Sequence, residues 1–309
     1  TVVGVKTRNS LLSPKGRGAA PKPLRIRPVD GGLNTWVTAD QIKPNESPRQ
    51  QNVLFVKNEI RKHPGSTQLG DDFDDAVLWT GTWRRDDGLT RTLALTNRNL
   101  YYRNRVGGWT QLGPTDSLGG LKSTKWSVVF FDNTMYFVNK NTSLRSWSGS
   151  DTDAHVAVTG GSSALAMDIV NNRIVLVNTL DQQASPSPQT VTWSQNGSAV
   201  FTGTGSGSSD RSERGDQIQN IKKLGPYRGI IYKDESMVDM RATGNAESPF
   251  DFGEIGGLGL LCPYGVTEWS GGHFFIGNDE QLYITDGAGQ MAIGKQVSKE
   301  LFDSLNYNS

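Results

Sequence analysis

Residues 76–113 read AVLWTGTWRRDDGLTRTLALTNRNLYYRNRVGGWTQLG, and this stretch decides the fold. Val77–Arg84, Arg91–Thr96, Leu100–Asn104 and Trp109–Leu112 are rich in Trp, Tyr, Thr, Leu and Val. Asp87-Gly88, Asn97-Arg98-Asn99 and Gly107-Gly108 separate them. β-Branched and aromatic residues suit a pleated, half-buried surface, and Gly, Asn and Asp suit tight turns. Turns this short join antiparallel neighbours. The stretch therefore predicts a four-stranded antiparallel sheet, the unit from which a β-propeller blade is made.

Working outward, the pattern returns. Trp126–Phe131, Met135–Asn139, Leu144–Ser148 and His155–Val158 form a second set, with turns at Asp132-Asn133 and Lys140-Asn141. Leu165–Val170, Ile174–Asn178, Thr190–Ser194 and Ala199–Thr202 form a third, interrupted by an insert over 179–188. Gln217–Leu224, Gly229–Lys233 and Met237–Ala242 begin a fourth, with a ragged outer edge before Gly253. Val266–Trp269, His273–Gly277, Gln281–Thr285 and Met291–Gly294 make a fifth, and Ser298–Leu305 reads as a closing helix capped by Ser298. First strands begin every ~40–50 residues, the period of propeller blades. The expected fold is all-β: a propeller of about five four-stranded antiparallel blades over 76–309, or six if residues 30–68 and the C-terminal end supply another. An extended arm over 1–29 and a connector with a hairpin over 30–75 precede it, and a short helix ends it.

Composition agrees. The chain has 309 residues, 35% apolar, with 36 glycines, a glycine share above the ~7% average that favours turns over helix. The net charge of +1 gives no whole-chain field toward nucleic acid or membrane. No apolar run reaches the ~18 residues of a membrane span, and the N-terminus lacks a signal-peptide core. The expectation is a protein made in the cytosol, not secreted and not inserted in a membrane.

Charge is uneven locally. Lys6, Arg8, Lys15, Arg17, Lys22, Arg25 and Arg27 occupy the first 29 residues without an acid, among Pro14, Pro21, Pro23 and Pro28. Such a stretch is either a solvated tail or an arm that orders on a neighbouring subunit or on phosphates. Asp71, Asp72, Asp74 and Asp75 lie just before the first blade. Their spacing is not that of an EF-hand loop, so they read as a solvated loop or as a counterpart to the basic arm. Both sets are candidate subunit-interface residues, and Arg84, Arg85, Arg103 and Arg105 read as further docking surface.

No catalytic constellation stands out. His63, His155 and His273 fall in separate segments without a second His or Cys at ligand spacing. No Gly-x-Ser-x-Gly elbow is present, and the Gly-rich run 203–215 lacks the following helix that a phosphate cradle needs. Cys262, the single cysteine, is expected to be buried and inert. Trp79, Trp83, Trp109, Trp126, Trp147, Trp193 and Trp269 fall in expected strands and read as filling between blades. The loop Asp286-Gly287-Ala288-Gly289-Gln290 reads as a turn rather than a Ca²⁺ loop. No enzyme activity, metal or cofactor is expected.

Three places resemble the propeller proteins of tailed-phage virions, the tail hub or nozzle group of short-tailed phages. They are Gly31–Thr35 with Pro44–Pro48, Asn52–Val56 and Ile60–Gly65; Ile221–Met240; and Phe274–Gly277 with Gln281–Gly287, Ile293-Gly294 and Val297. The resemblance implies a non-catalytic structural role in the virion tail, as a homo-oligomeric ring, a hexamer, around the DNA exit channel. It implies a head-to-tail adaptor and tail fibre or needle proteins as partners, and viral DNA passing through. Two alternatives stay open: a carbohydrate-binding or carbohydrate-cleaving propeller, and a cellular propeller scaffold that binds peptides.

Overall fold

The computed structural model describes residues 31–38, 40–50, 53–56, 59–63, 65, 72–104, 106–113, 118–121, 123–180 and 185–304. The chain divides into two compact units, Thr1–Pro64 and Gly65–Ser309. In the first, β1 (Gly32–Leu33) pairs in parallel with β2 (Glu46–Ser47), and β3 (Val53–Val56) and β4 (Glu59–Lys62) form an antiparallel hairpin. Glu46 fastens the first pair: its Oε2 accepts from Asn34 Nδ2 at 2.8 Å and from Lys43 N at 3.2 Å.

The second unit is a five-bladed β-propeller, each blade an antiparallel sheet of four strands in sequence order. Blade 1 is β5 (Val77–Arg84), β6 (Thr90–Thr96), β7 (Leu100–Arg103) and β8 (Trp109–Leu112). Blade 2 is β9 (Ser127–Phe131), β10 (Thr134–Asn139), β11 (Thr142–Trp147) and β12 (Val156–Ala157). Blade 3 is β13 (Ala164–Val170), β14 (Arg173–Leu180), β15 (Pro186–Trp193) and β16 (Gly207–Asp210). Blade 4 is β17 (Ile218–Lys223), β18 (Arg228–Lys233), β19 (Met237–Ala242) and β20 (Phe250–Glu254). Blade 5 is β21 (Val266–Trp269), β22 (Gly272–Ile276), β23 (Leu282–Thr285) and β24 (Gln290–Ile293), followed by α1 (Lys295–Ser304). First strands pack on one another, β13 against β9 and β17, and β17 against β21.

Two of the hairpins show why the turns were readable. β9–β10 and β13–β14 close through two residues, Asp132-Asn133 and Asn171-Asn172, all four with φ between 46° and 55°. Two-residue hairpins need positive φ at both central positions, and Asn and Asp tolerate it best.

The core lies between blades. Successive residues of a strand point to opposite faces, and here both faces are buried. On β10, Met135 and Phe137 join Trp83, Leu93, Leu95 and Leu100 of blade 1, while Val138 joins Met167, Ile174 and Leu176 of blade 3. On β14, Val175 and Val177 turn instead to Ile218, Ile221 and Met240 of blade 4. On β18, Ile230 and Tyr232 meet Val266 and Phe275 of blade 5. Clusters thus bind blades 1 to 2, 2 to 3, 3 to 4 and 4 to 5. Among the described residues none joins blade 5 to blade 1.

Three expectations need correction. The outer strand of blade 3 is Gly207–Asp210 and not 199–202. Ala199 and Phe201 are apolar because they cover the cluster between blades 2 and 3, whereas Gly207 pairs with Trp193, whose ring lies where a Cβ would sit. The supposed insert after Asn178 is the end of a longer hairpin, since β14 runs to Leu180 and pairs with Pro186. Ser298 does not cap the helix: α1 begins at Lys295, and Ser298 Oγ donates to Gly294 O at 3.0 Å from within the first turn.

Candidate functional site

Blade 5 packs on blade 4 through one face, and among the described residues no core cluster joins its other face to blade 1. Strand register places the side chains. Thr267 pairs with Phe274, Phe274 with Ile284 and Ile284 with Met291, so these share a face. Trp269, two residues after Thr267, and Asp286, two after Ile284, fall on it too. The opposite face carries Val266 and Phe275 into blade 4. Trp269 is 53% exposed and Met291 58%. With Ile284, Asp286, Ala288 and Gln290 they line a groove of about 400 Å³.

Turns border the groove at both ends. The Trp269 ring lies against Gly271, where a Cβ would come within 3.0 Å of it. At the other end Asp286 Oδ1 accepts from Ala288 N at 2.9 Å and Gly289 N at 3.3 Å. Those backbone N–H groups hold its carboxyl below the usual range. Thr285 Oγ1 donates to Gly289 O at 2.7 Å and accepts from Gly287 N at 3.0 Å. Gly287 sits at φ 83°, with Leu224 and Arg228 where a side chain would go. The turn uses Asp286 as its own brace.

A second constellation lies where blades 3, 4 and 5 converge. Asp168 of β13 is buried; its Oδ1 accepts from Ile169 N at 2.7 Å and its Oδ2 from Lys223 N at 2.9 Å. Glu268 of β21 lies 4.0 Å from Lys223 Nζ. Burial, then the neighbouring Asp168 charge, raises the Glu268 pKa. His273 is fully buried. Its Nε2 donates to Lys223 O at 2.8 Å, so its Nδ1 accepts from Tyr232 Oη at 2.9 Å, the tautomer of a neutral ring. Burial keeps its pKa low. His273 thus tethers blade 5 to two strands of blade 4.

His155 is the other buried imidazole. Arg145 Nε donates to its Nδ1 at 2.8 Å. Burial, then the Arg145 charge, brings its pKa down to about 4. The folded value lies below that of a free histidine, ~6.5, so the unfolded chain takes up a proton that the folded chain refuses. This contribution is fully present above pH ~6.5 and is lost as the pH falls toward 4, by roughly 1–3 kcal/mol. Urea midpoints at pH 7 and pH 4.5 check it: His155→Gln should shift less between the two than the parent, and an equal shift would remove His155 from the account.

The interface candidates are placed as follows. Lys6, Arg8, Lys15, Arg17, Lys22, Arg25, Arg27 and Asp71 lie outside the described residues. Asp72 is exposed. Asp74 Oδ2 accepts from Asn99 Nδ2 at 2.6 Å, and burial together with Asp74 pushes Tyr101 up to about 12. Asp75 accepts from Ala76 N at 2.7 Å and lies 3.8 Å from Arg98. Just before them, Phe73 packs on Tyr101 and Trp109 at 5.1 and 5.0 Å. Asp74 and Asp75 are thus engaged by blade 1. Arg85 lies over Trp83 and pairs with Asp87, and Arg103 donates to Gly107 O; Arg84 is exposed, and Arg105 is outside the described residues. Two further expectations are corrected. Cys262 is exposed, because it lies in the connector before β21. Trp269 does not fill an inter-blade space, unlike Trp83, Trp126, Trp147 and Trp193, because among the described residues no core cluster covers its face.

No protein-family model matches the chain, and no curated protein does. Among solved structures, YCF48 from Cyanidioschyzon merolae matches at 11% identity and a TM-score of 0.43, over 66% of this chain and 68% of that one. YCF48 bound to D1 peptide matches at 11% identity and a TM-score of 0.37, over 72% and 82%. The expected role as a phage tail nozzle around a DNA channel is corrected by this finding, since the matched structures are of YCF48 and not of a phage protein.

Proposed function

We propose that this propeller is a non-catalytic scaffold that binds a peptide segment of a partner protein, and that the groove of blade 5 receives it. The observation that carries this reading is Trp269: a strand tryptophan, more than half exposed, beside Ile284 and Met291 on a blade face that no described residue of blade 1 joins in a cluster. An exposed aromatic anchor over an apolar floor is what a peptide side chain docks on, and aromatic residues dominate such sites energetically. The groove volume of about 400 Å³ suits one or two side chains rather than a folded domain. A carbohydrate could also stack on Trp269. Asp286 and Gln290 would be its polar partners, but the apolar floor of Ile284 and Met291 favours a peptide side chain.

Selection of a random dodecapeptide display library on the full chain tests the reading. Recovered peptides should bind protein lacking residues 1–29 as tightly as the full chain, and Trp269→Ala at least ~10-fold more weakly. Trp269 is exposed, so the variant should keep the parent's unfolding midpoint. Recovery of no peptide, or binding indifferent to Trp269, would sink the proposal. A glycan array with hits that depend on Trp269 would transfer the groove to sugars.

A further inference from the structure

Resting on that reading, we infer that the blade 5 groove selects a peptide presenting a cationic side chain, Arg or Lys, next to an apolar one. The cation lies between Trp269 and Asp286, and the apolar neighbour sits on Ile284 and Met291.

The argument begins from register. Trp269 ends β21 and Asp286 opens the turn after β23, yet they border one groove. Trp269 pairs with Gly272, and Gly272 lies against Thr285 and the Cα of Asp286. The two side chains therefore stand in one cross-strand row with Gly272 between them, roughly 10 Å apart at their backbones, and the glycine leaves the space between them open. A cation over an indole is held by the ring quadrupole, and a carboxylate beside it adds charge complementarity. Neither group alone would make a site; the pairing at one groove end is the observation.

Asp286 is equipped for this role. The bonds from Ala288 N and Gly289 N both go to Oδ1, and Asp286 is exposed, so the carboxylate stays within reach of a ligand. The two N–H groups favour the charged carboxylate, so it is an anion at neutral pH. The Arg228 charge adds a smaller lowering of the Asp286 pKa, but the described hydrogen bonds of its guanidinium go elsewhere. Its Nε and Nη2 bind Asp239 at 2.6 and 2.9 Å, and Nη2 also donates to the Gly287 carbonyl at 2.5 Å. The apolar half follows from the same face: Ile284 and Met291 pair across β23 and β24, and Met291 is 58% exposed. Methionine adapts to varied apolar partners, so the apolar position should be tolerant and the cationic position strict.

The test uses the full chain and fluorescein-labelled octapeptides on a Gly-Ser frame. Their central pairs are Arg-Leu, citrulline-Leu and Glu-Leu. Citrulline keeps the shape of arginine and removes its charge. By fluorescence anisotropy, Arg-Leu should bind ~5- to 30-fold more tightly than citrulline-Leu, and Glu-Leu should bind most weakly. Asp286→Asn keeps the Oδ1 acceptor, and so the turn, but removes the charge; it should close most of the gap between arginine and citrulline. Trp269→Ala should weaken both. Equal affinity for Arg-Leu and citrulline-Leu, with Trp269 still required, overturns the inference and leaves the peptide reading standing. Absence of binding, or binding indifferent to Trp269, overturns both.

Discussion

Replacing Asp216 with alanine is expected to destabilise the propeller by about 3–5 kcal/mol. Asp216 and Lys233 form an ion pair whose side chains are each only 2% exposed. Lys233 Nζ also donates to Arg211 O at 2.8 Å, and Asp216 Oδ2 accepts from Ser236 Oγ at 2.5 Å. Burial pushes the Asp216 pKa up, but the Lys233 and Ser236 hydrogen bonds together bring it below its ordinary value. The contacts tie the segment before β17 to the β18–β19 turn. Alanine at 216 leaves an ammonium in the interior with one carbonyl for a partner, and an uncompensated buried charge costs far more than the pair contributes. The paired replacement Asp216→Leu with Lys233→Met should therefore be much milder than Asp216→Ala alone. Urea unfolding of the parent, both single variants and the double variant closes the cycle. A loss under ~1 kcal/mol for Asp216→Ala would mean that water reaches Lys233, and the buried-pair argument would fail.

Blade architecture was legible where local chemistry dictates it. The strands of blade 1 fall within a residue of their expected bounds, because Gly, Asn and Asp turns stand between runs of alternating apolar residues. The outer strand of blade 3 was not legible. Gly207–Asp210, GSSD, has almost no strand chemistry of its own and is defined by pairing with Thr190–Trp193. Outer strands cover little core, so their sequences are weakly constrained, and tertiary pairing overrides propensity.

The candidate site was half legible. Trp269 was visible as a strand tryptophan, and the strand pattern gave its face. What distinguished it from Trp83 and Trp147 is that no cluster of the described residues covers its face, a fact of tertiary packing and not of local sequence. The meeting of Asp168, Glu268 and His273 could not be read at all. These residues come from strands whose convergence depends on three blades packing at once, with sequence separations that no motif spacing records. Asp74 and Asp75 erred in the other direction. An acidic run reads as free charge in a sequence, but here Asn99, Arg98 and the Ala76 amide take up two of its carboxylates.

Trp147→Ala should cost about 3–5 kcal/mol, with a fall in thermal midpoint of roughly 6–20 °C for a unit of this size. Trp147 is 1% exposed between blades 1 and 2. Its ring meets Trp83 edge-on at 5.8 Å, Trp83 stacks on Phe130 at 5.2 Å, and its Nε1 donates to Ser150 O at 3.1 Å and Asp153 O at 3.2 Å. Truncation removes the filling between two sheets and leaves two carbonyls without that donor. Strands on either side are hydrogen-bonded within their own blades and cannot close the gap without breaking register, so the cavity persists. Trp269→Ala removes the same atoms from a side chain that is more than half exposed, and its midpoint should stay within about 2 °C of the parent. The two variants thus separate what tryptophan does in this chain. Differential scanning calorimetry on both, alongside peptide binding, gives the decisive comparison. A large stability loss in Trp269→Ala would show that its face is covered by the chain itself, and the groove would no longer be available to a partner.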